Sequence, residues 1–344
     1  MARPITIVGG GLAGLTLGIG LRQRGVPVTV WEAGQYPRHR VCGEFISGRG
    51  QGSLGRLGLL DGLKQLGACA ATNAAFFTPT ATVAARPLPE AALCVSRFTL
   101  DQWLAQEFQR LGGDLRTGER WAGEYGEGIV RASGRRVEPA AEGWRLFGLK
   151  VHARDVRLTA DLEMHFGPDG YVGLCRLPDG ETNVCGLFRS ATAVPDLALR
   201  WRDWLRGAAG SALHTRLTHA RFDESSFCSI AGISLRARQA LGQREVCAGD
   251  SLSMIPPVTG NGMSMAFESA ELAITPLLRF SQDELDWTQM RQQLGQACDA
   301  AFISRLRWAA WLQRALFHPP ARAALMFLAA RSETLWRGLF EHTR

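Results

Sequence analysis

Three glycines and one carboxylate near the start of the chain carry the clearest chemical signal. Gly9, Gly11 and Gly14 stand in the order G-x-G-x-x-G, and Glu32 follows eighteen residues after the last of them. Glycines at these places let a strand turn tightly into a helix, let the backbone approach a pyrophosphate, and let helix and strand pack closely. The N–H groups of Leu12, Ala13 and Gly14 at the helix start would face the phosphates, where the helix dipole favours negative charge. Glu32, with Ala33 beside it, is placed to accept hydrogen bonds from a ribose. A carboxylate there favours an unphosphorylated ribose, as in NAD or FAD.

A second stretch, "AGDSLSMIPPVTGNGMSMAFESAELA" at 248–273, crowds backbone-shaping residues at the mouth of a helix. Gly249 and Asp250 end an apolar strand, Pro256 and Pro257 stiffen the loop, and Gly260 and Gly262 precede a helix expected from Met263. Such a loop can bring backbone N–H groups and a helix dipole to a group that gains negative charge.

The elements around these residues follow from periodicity. A buried strand over 5–8 leads into a helix carrying Leu15, Leu17, Ile19 and Leu21 that stops at Gly25, and a second strand covers 26–31. Strands are also expected over 145–189. "LFGLKVHAR" alternates, with Lys150, His152 and Arg154 on one face, and two Pro-Asp-Gly turns mark hairpins. The Lys150–His152 face either meets solvent or lines a chamber. From Ser281 the chain reads as helical, rich in Trp, Leu and Arg, and broken at Pro319–Pro320. That segment is either a layer packed on the rest or an amphipathic element touching a membrane or covering a lipophilic tunnel.

Bulk properties narrow the function classes. With 344 residues, 46% hydrophobic and 21% charged, the chain can bury a large core in two domains or one compound one. The uncharged run from Ile5 to Leu21 is too rich in glycine for a spanning helix. Eight scattered cysteines without a C-x-x-C pair argue against zinc and disulfide frameworks and for a reducing cytoplasm. The net charge of +7 is spread over many arginines, with no stripe suited to nucleic acid; it suits anionic small molecules or an anionic membrane surface. No metal motif or hydrolytic triad stands out.

Residues 245–274 resemble the second FAD fingerprint of flavoproteins with the p-hydroxybenzoate-hydroxylase fold. The resemblance implies that Gly249 and Asp250 contact the ribityl chain and pyrophosphate, and that Pro257, Gly260, Gly262 and Met263 face the isoalloxazine. "YPRHRVCGEFIS" is similar to the R/K-x-C-G-[DE]-x-x-S segment of the geranylgeranyl-reductase-like flavoproteins, with Arg40, Cys42, Gly43, Glu44 and Ser47 at the matching positions. In those relatives this loop lines flavin and substrate, which makes Cys42 a candidate catalytic group and Arg40 a cofactor contact. "SRFTLDQWL" resembles a helix start whose arginine, here Arg97, meets the FAD. The family's antiparallel sheet floors the substrate chamber, which makes Lys150 and His152 further catalytic candidates.

Two family features are missing. Ala132-Ser133-Gly134-Arg135 stands where many monooxygenases carry Asp-Gly, and the W-x-W-x-I-P motif of flavin-dependent halogenases is absent. The resemblance thus implies a Rossmann-like α/β FAD-binding domain from 1–145 and 240–280, an antiparallel-sheet substrate domain over 146–239, and C-terminal helices over 281–344. It also implies an FAD-dependent reductase or dehydrogenase acting on a lipophilic or aromatic small molecule, with NADH or NADPH as a transient reductant. A single-component aromatic monooxygenase and a flavin-holding electron-transfer partner are the alternatives. A cytoplasmic protein, with peripheral membrane contact through the C-terminal helices, completes the expectation.

Overall fold

The computed structural model describes residues 2–136 and 143–342. In chain order the first third comprises β1 (Ile5–Val8), α1 (Leu12–Arg22), β2 (Val28–Glu32), β3 (Phe45–Ile46), α2 (Gly48–Arg56), α3 (Leu60–Gln65), β4 (Cys69–Phe77), β5 (Thr82–Cys94) and α4 (Arg97–Arg110). Next come β6 (Asp114–Thr117), β7 (Ile129–Arg131), β8 (Arg145–Arg154), β9 (Leu162–Phe166), β10 (Gly170–Arg176) and β11 (Thr182–Ser190). The remainder holds α5 (Leu197–Arg206), α6 (Ala212–Leu217), β12 (Arg221–Ala231), β13 (Val246–Cys247), α7 (Gly262–Ser281), α8 (Trp287–Phe317), α9 (Pro319–Arg331) and α10 (Glu333–Glu341).

Two sheets organise these elements. A parallel sheet has the order β13-β7-β1-β2-β6, and a larger, mostly antiparallel sheet has the order β12-β8-β11-β10-β9-β4-β5-β3. The first is the expected Rossmann-like unit. Its strand β1 is short and apolar because α1 covers it, and α1 is itself buried along ten successive residues, Leu12 to Leu21. A helix apolar all round must be enclosed, and here α4 and α7 enclose it.

The larger sheet takes strands from beyond 146–239. β3, β4 and β5 lie within the first 145 residues, yet they pair into the second sheet. No strands were expected over 69–94, since β4 does not alternate cleanly and β5 carries two prolines and many exposed positions. Both Pro-Asp-Gly turns close hairpins, joining β9 to β10 and β10 to β11.

C-terminal helices follow α7 as expected, with the break at Pro319. Asp286 and Gln289 form a capping box at the start of α8, whose side-chain oxygens accept from two backbone N–H groups that otherwise lack partners. No helix among the described residues is long and apolar enough to cross a membrane.

Candidate functional site

The glycine turn after β1 is built as its spacing predicted. Gly9 has φ +114°, and a Cβ there would lie 2.3 Å from the Ala132 carbonyl oxygen; a Cβ on Gly14 would lie 1.9 Å from the Gly9 carbonyl oxygen. A Cβ on Gly11, by contrast, would meet nothing within 4 Å. Gly11 is also the N-cap of α1 and offers no capping side chain, so the first N–H groups of the helix face that space with no side-chain cap among the described residues. Leu12 and Ala13 turn their side chains into the core.

Glu32 closes β2 beside this turn. Its carboxylate accepts from the Gly10 N–H at 2.9 Å and the Gly34 N–H at 2.8 Å, and pairs with Arg38 at 2.7 Å and Arg40 at 3.9 Å. Burial alone would raise its pKa, but Arg38, the Gly34 N–H and Arg40 hold it below the usual carboxylate range. The Nε atoms of Arg38 and Arg40 are buried without an acceptor among the described residues. Ala33 is exposed next to them.

The second cradle faces the first. Gly249 takes φ +61° and packs its backbone against Ala13, and residues 249–251 touch both α1 and α7. Asp250 follows, and no donor among the described residues reaches its carboxylate. Burial pushes its pKa up to about 6, despite the charges of Arg97 and Arg135 nearby. Pro257 to Thr259 form a short 3₁₀ turn that ends at Gly260 in the left-handed region, φ +67°. A Cβ on Gly260 would lie 2.1 Å from the Phe45 ring. The helix then starts at Gly262, one residue earlier than expected, without a side-chain cap; Met263 is buried, and a Cβ on Gly262 would meet nothing within 4 Å.

These features suit FAD part by part. The open, uncapped start of α1 and the unpaired arginine N–H groups suit a pyrophosphate. Asp250, short of donors, suits a polyol. The open start of α7 suits a ring that carries negative charge when reduced.

The loop over 38–44 joins the two sheets. Glu44 has φ +60°, and its side chain is fully buried. Its carboxylate meets His152 Nε2 at 2.7 Å and Lys150 Nζ at 3.5 Å, and accepts from the Arg97 N–H at 2.9 Å. Burial works to raise the Glu44 pKa, but His152 and Lys150 outweigh it and hold the group below the usual range. Lys150 also meets His39 Nδ1 at 3.1 Å, and His152 Nδ1 lies 3.4 Å from Glu181. His39 stacks on Phe98, and burial with Lys150 nearby lowers its pKa to about 4.

Lys150 and His152 are therefore buried, not solvated. They sit on the face of β8 that also carries Gly148, beneath the loop. Arg97 forms a two-bond pair with Asp101 at 2.6 and 2.7 Å and also neighbours Cys42 and Asp250. Ser47 closes the loop onto α7 by hydrogen bonds to Asn261 at 2.5 Å and to Ser264 at 2.9 Å.

Beside this loop lies an apolar cavity of about 170 Å³. Val41, Cys42 and Gly43 form one wall, and the Pro257–Thr259 turn forms another. Gly148 and Gly173 lower the floor of the larger sheet, and Phe340 of α10 adds a further wall. Burial pushes the Cys42 thiol up, so it stays protonated. A larger groove of about 710 Å³ lies at the other end of the sheet, against residues 78–82 and 207–213, and none of the expected site residues lines it.

His39, Tyr171 and Asn183 join this region without having been expected. Asn183 donates to the Cys42 carbonyl at 2.8 Å. The alternation of β10 and β11 is the signal that would have found Tyr171 and Asn183, since both fall on the face shared with Lys150 and His152.

Residues 3–138 match the FAD binding domain family. Among curated proteins none matches the sequence. A flavoprotein/dehydrogenase from Cytophaga hutchinsonii is similar in structure, with TM-score 0.76 and 18% identity over 99% of this chain and 92% of that one. The flavin-dependent brominase Bmp2 has TM-score 0.76 and 15% identity over 100% of this chain and 95% of its own. A geranylgeranyl bacteriochlorophyll reductase-like protein from Thermoplasma acidophilum has TM-score 0.75 and 16% identity over 98% of this chain and 96% of its own. At these identities the likeness concerns the fold, which serves several chemistries.

Proposed function

We propose that this member of the FAD-dependent oxidoreductase superfamily acts on a lipophilic or aromatic small molecule, reducing or dehydrogenating a carbon–carbon bond by hydride exchange with flavin N5. The observation that carries the reading is the apolar cavity between the Pro257–Thr259 turn and the glycine floor of the larger sheet. Bound FAD supplies the hydride-donating or hydride-accepting centre.

The chain's own groups hold, orient and exclude. Gly11, Leu12, Ala13 and Gly14 would take the pyrophosphate, with Arg40 alongside; Glu32 and Ala33 would border the ribose. Gly249, Asp250 and Arg97 would flank the ribityl chain, and Pro257, Gly260, Gly262 and Met263 would back the ring. Apolar walls keep water from the reacting carbon. The Cys42 thiol is able to hold a proton at Sγ beside it, while Lys150 and His152 fix the Cys42 loop from beneath through Glu44. With one dinucleotide motif in the chain, NADH or NADPH would act as a transient visitor. Exposed Trp311, Phe327 and Leu328 on the layer that closes the cavity suit contact with a lipid surface.

The test is oxygen uptake and product mass during NAD(P)H-driven turnover of lipophilic and aromatic compounds. The reading expects a product that differs by two hydrogen atoms and forms without oxygen. A product with one added oxygen atom, formed with oxygen uptake, would make the protein a monooxygenase. FAD reduced only by a protein donor would make it an electron-transfer partner.

A further inference from the structure

A groove of about 720 Å³ lies between the loop that precedes β13 and the middle of α8. Five arginines line it: Arg136, which follows β7, then Arg236, Arg238 and Arg244 of the loop, and Arg307 of α8. Glu245 is the one carboxylate among the described residues that line it, and it already pairs with Arg136 and with Arg131, each at 2.8 Å. Arg236, Arg244 and Arg307 are exposed and meet no carboxylate among the described residues. Burial and the charges of Arg136 and Arg131 hold the Arg238 guanidinium below its usual pKa. Arg136 Nε is buried with no acceptor among the described residues.

The loop that carries these charges is fixed in place. Asp299 of α8 accepts from the Ala240 N–H at 2.6 Å and the Leu241 N–H at 3.2 Å, so its carboxylate serves the loop backbone and not an arginine. The Arg238 N–H donates to Ser253 Oγ at 3.2 Å, and Gln243 Nε2 donates to the Leu252 carbonyl at 2.9 Å. Arg291 of α8 adds a hydrogen bond to the Gln243 carbonyl at 2.9 Å. Guanidinium groups gathered in this way repel one another, and an anion that enters the groove relieves the repulsion.

We propose that this groove binds a small ligand that carries at least two neighbouring phosphate groups. Guanidinium forks match phosphate oxygens with paired, charge-assisted hydrogen bonds. Three arginines without a carboxylate partner leave more positive charge than one monoanion would balance, and the volume suits a molecule of nucleotide size. Two sources share this chemistry: free di- or polyphosphates, and the phosphates of NADPH. The groove is separate from the flavin cradle, since neither the glycine turn after β1 nor the start of α7 lines it.

Calorimetric titration of inorganic pyrophosphate into the FAD-loaded protein tests it, because FAD then fills the other phosphate cradle. The wild-type protein is expected to bind pyrophosphate with a Kd of about 0.1 mM or below. The double variant Arg236→Gln/Arg307→Gln should weaken that binding by about tenfold or more. The control Arg200→Gln/Arg221→Gln removes the same charge outside the groove and should change it by less than about twofold. No binding at about 1 mM pyrophosphate, equal losses in the two double variants, or binding seen only before FAD is added would overturn the groove. Displacement of pyrophosphate by NADPH more readily than by NADH would assign the site to the phosphorylated dinucleotide, and displacement by neither would assign it to free polyphosphates. Should the protein take up no FAD, the flavin reading fails alone, since the loss in Arg236→Gln/Arg307→Gln is still read against the control.

Discussion

Glu44 Oε2 and His152 Nε2 meet at 2.7 Å, with both side chains buried. This contact ties the loop that follows the parallel sheet to the floor of the other sheet, and Lys150 adds a second tie at 3.5 Å. Removing the carboxylate strands two buried cationic or proton-bearing groups. Glu44→Ala is expected to cost about 3–5 kcal/mol, the usual range for breaking one side of a buried ion pair. Glu44→Gln, which keeps the acceptor oxygen, should cost less. Urea unfolding of the two variants at pH 7 checks the order.

Acid should weaken the fold in two stages. His39 has its pKa lowered from 6.5 to about 4, so the unfolded chain takes up that proton first and stability falls as the pH drops from 6.5 towards 4. Glu44 is held below its unfolded value of 4.5, so its contribution is present above that pH and is lost as the pH falls further. Asp250 opposes this trend below about pH 6, so urea midpoints are best measured in an Asp250→Asn background, where they should decline from pH 7.5 to 4. Glu44→Gln should remove the steeper part below pH 4.5 and leave the part due to His39.

Asp250 should act in the opposite sense. Its pKa is raised from 3.8 to about 6, so the protein without cofactor loses stability as the pH rises through that window. Asp250→Asn is expected to stabilise the cofactor-free protein at pH 7 by about 1–2 kcal/mol, since a pKa unit is worth about 1.4 kcal/mol and the side chain is only partly buried. The same change should weaken FAD binding by about tenfold, as a charge-assisted hydrogen bond is lost. Thermal melts and FAD titration read the two effects separately.

Gly11 and Gly14 stand three residues apart but should respond differently. Gly14→Ala drives a Cβ into the Gly9 carbonyl and should destabilise the fold by about 1–3 kcal/mol, the usual cost of overpacking. Gly11→Ala meets no protein atom and should cost at most about 1 kcal/mol as an N-cap change. FAD affinity should nevertheless fall in Gly11→Ala, because the methyl group enters the space facing the helix start.

Much of this site was legible in the sequence because glycine, proline and acid spacing act locally. Gly9, Gly249 and Gly260 take the left-handed or positive-φ backbone that a tight turn needs, and Gly14 packs on Gly9 five residues before it, all of which local spacing shows. Lys150 and His152 were placed on one face by alternation, but alternation does not tell solvent from a covering loop. What covers them is the 38–44 loop, more than a hundred residues away in sequence. Glu44, matched only as a motif position, acquires its partners through the same distant pairing. The membership of β3, β4 and β5 in the larger sheet was hidden for the same reason, since strand pairing is a non-local event.

Gly173 offers a way to close the cavity without touching the cofactor. A Cβ there would meet only the Cys185 carbonyl at 3.7 Å and Met164 at 4.0 Å, so a side chain is tolerated and projects from the floor. Gly173→Val should bind FAD as the wild-type protein does, yet lose most affinity for butylbenzene, about tenfold or more for the contacts displaced. Calorimetry with that probe on both FAD-loaded proteins checks it.

The most direct measurement is the absorption spectrum of the purified protein, followed by identification of whatever heat releases. Two flavin bands and released FAD, or the same bands after FAD is added to colourless protein, are the predicted result. A colourless protein that takes up no FAD would contradict the account at its centre.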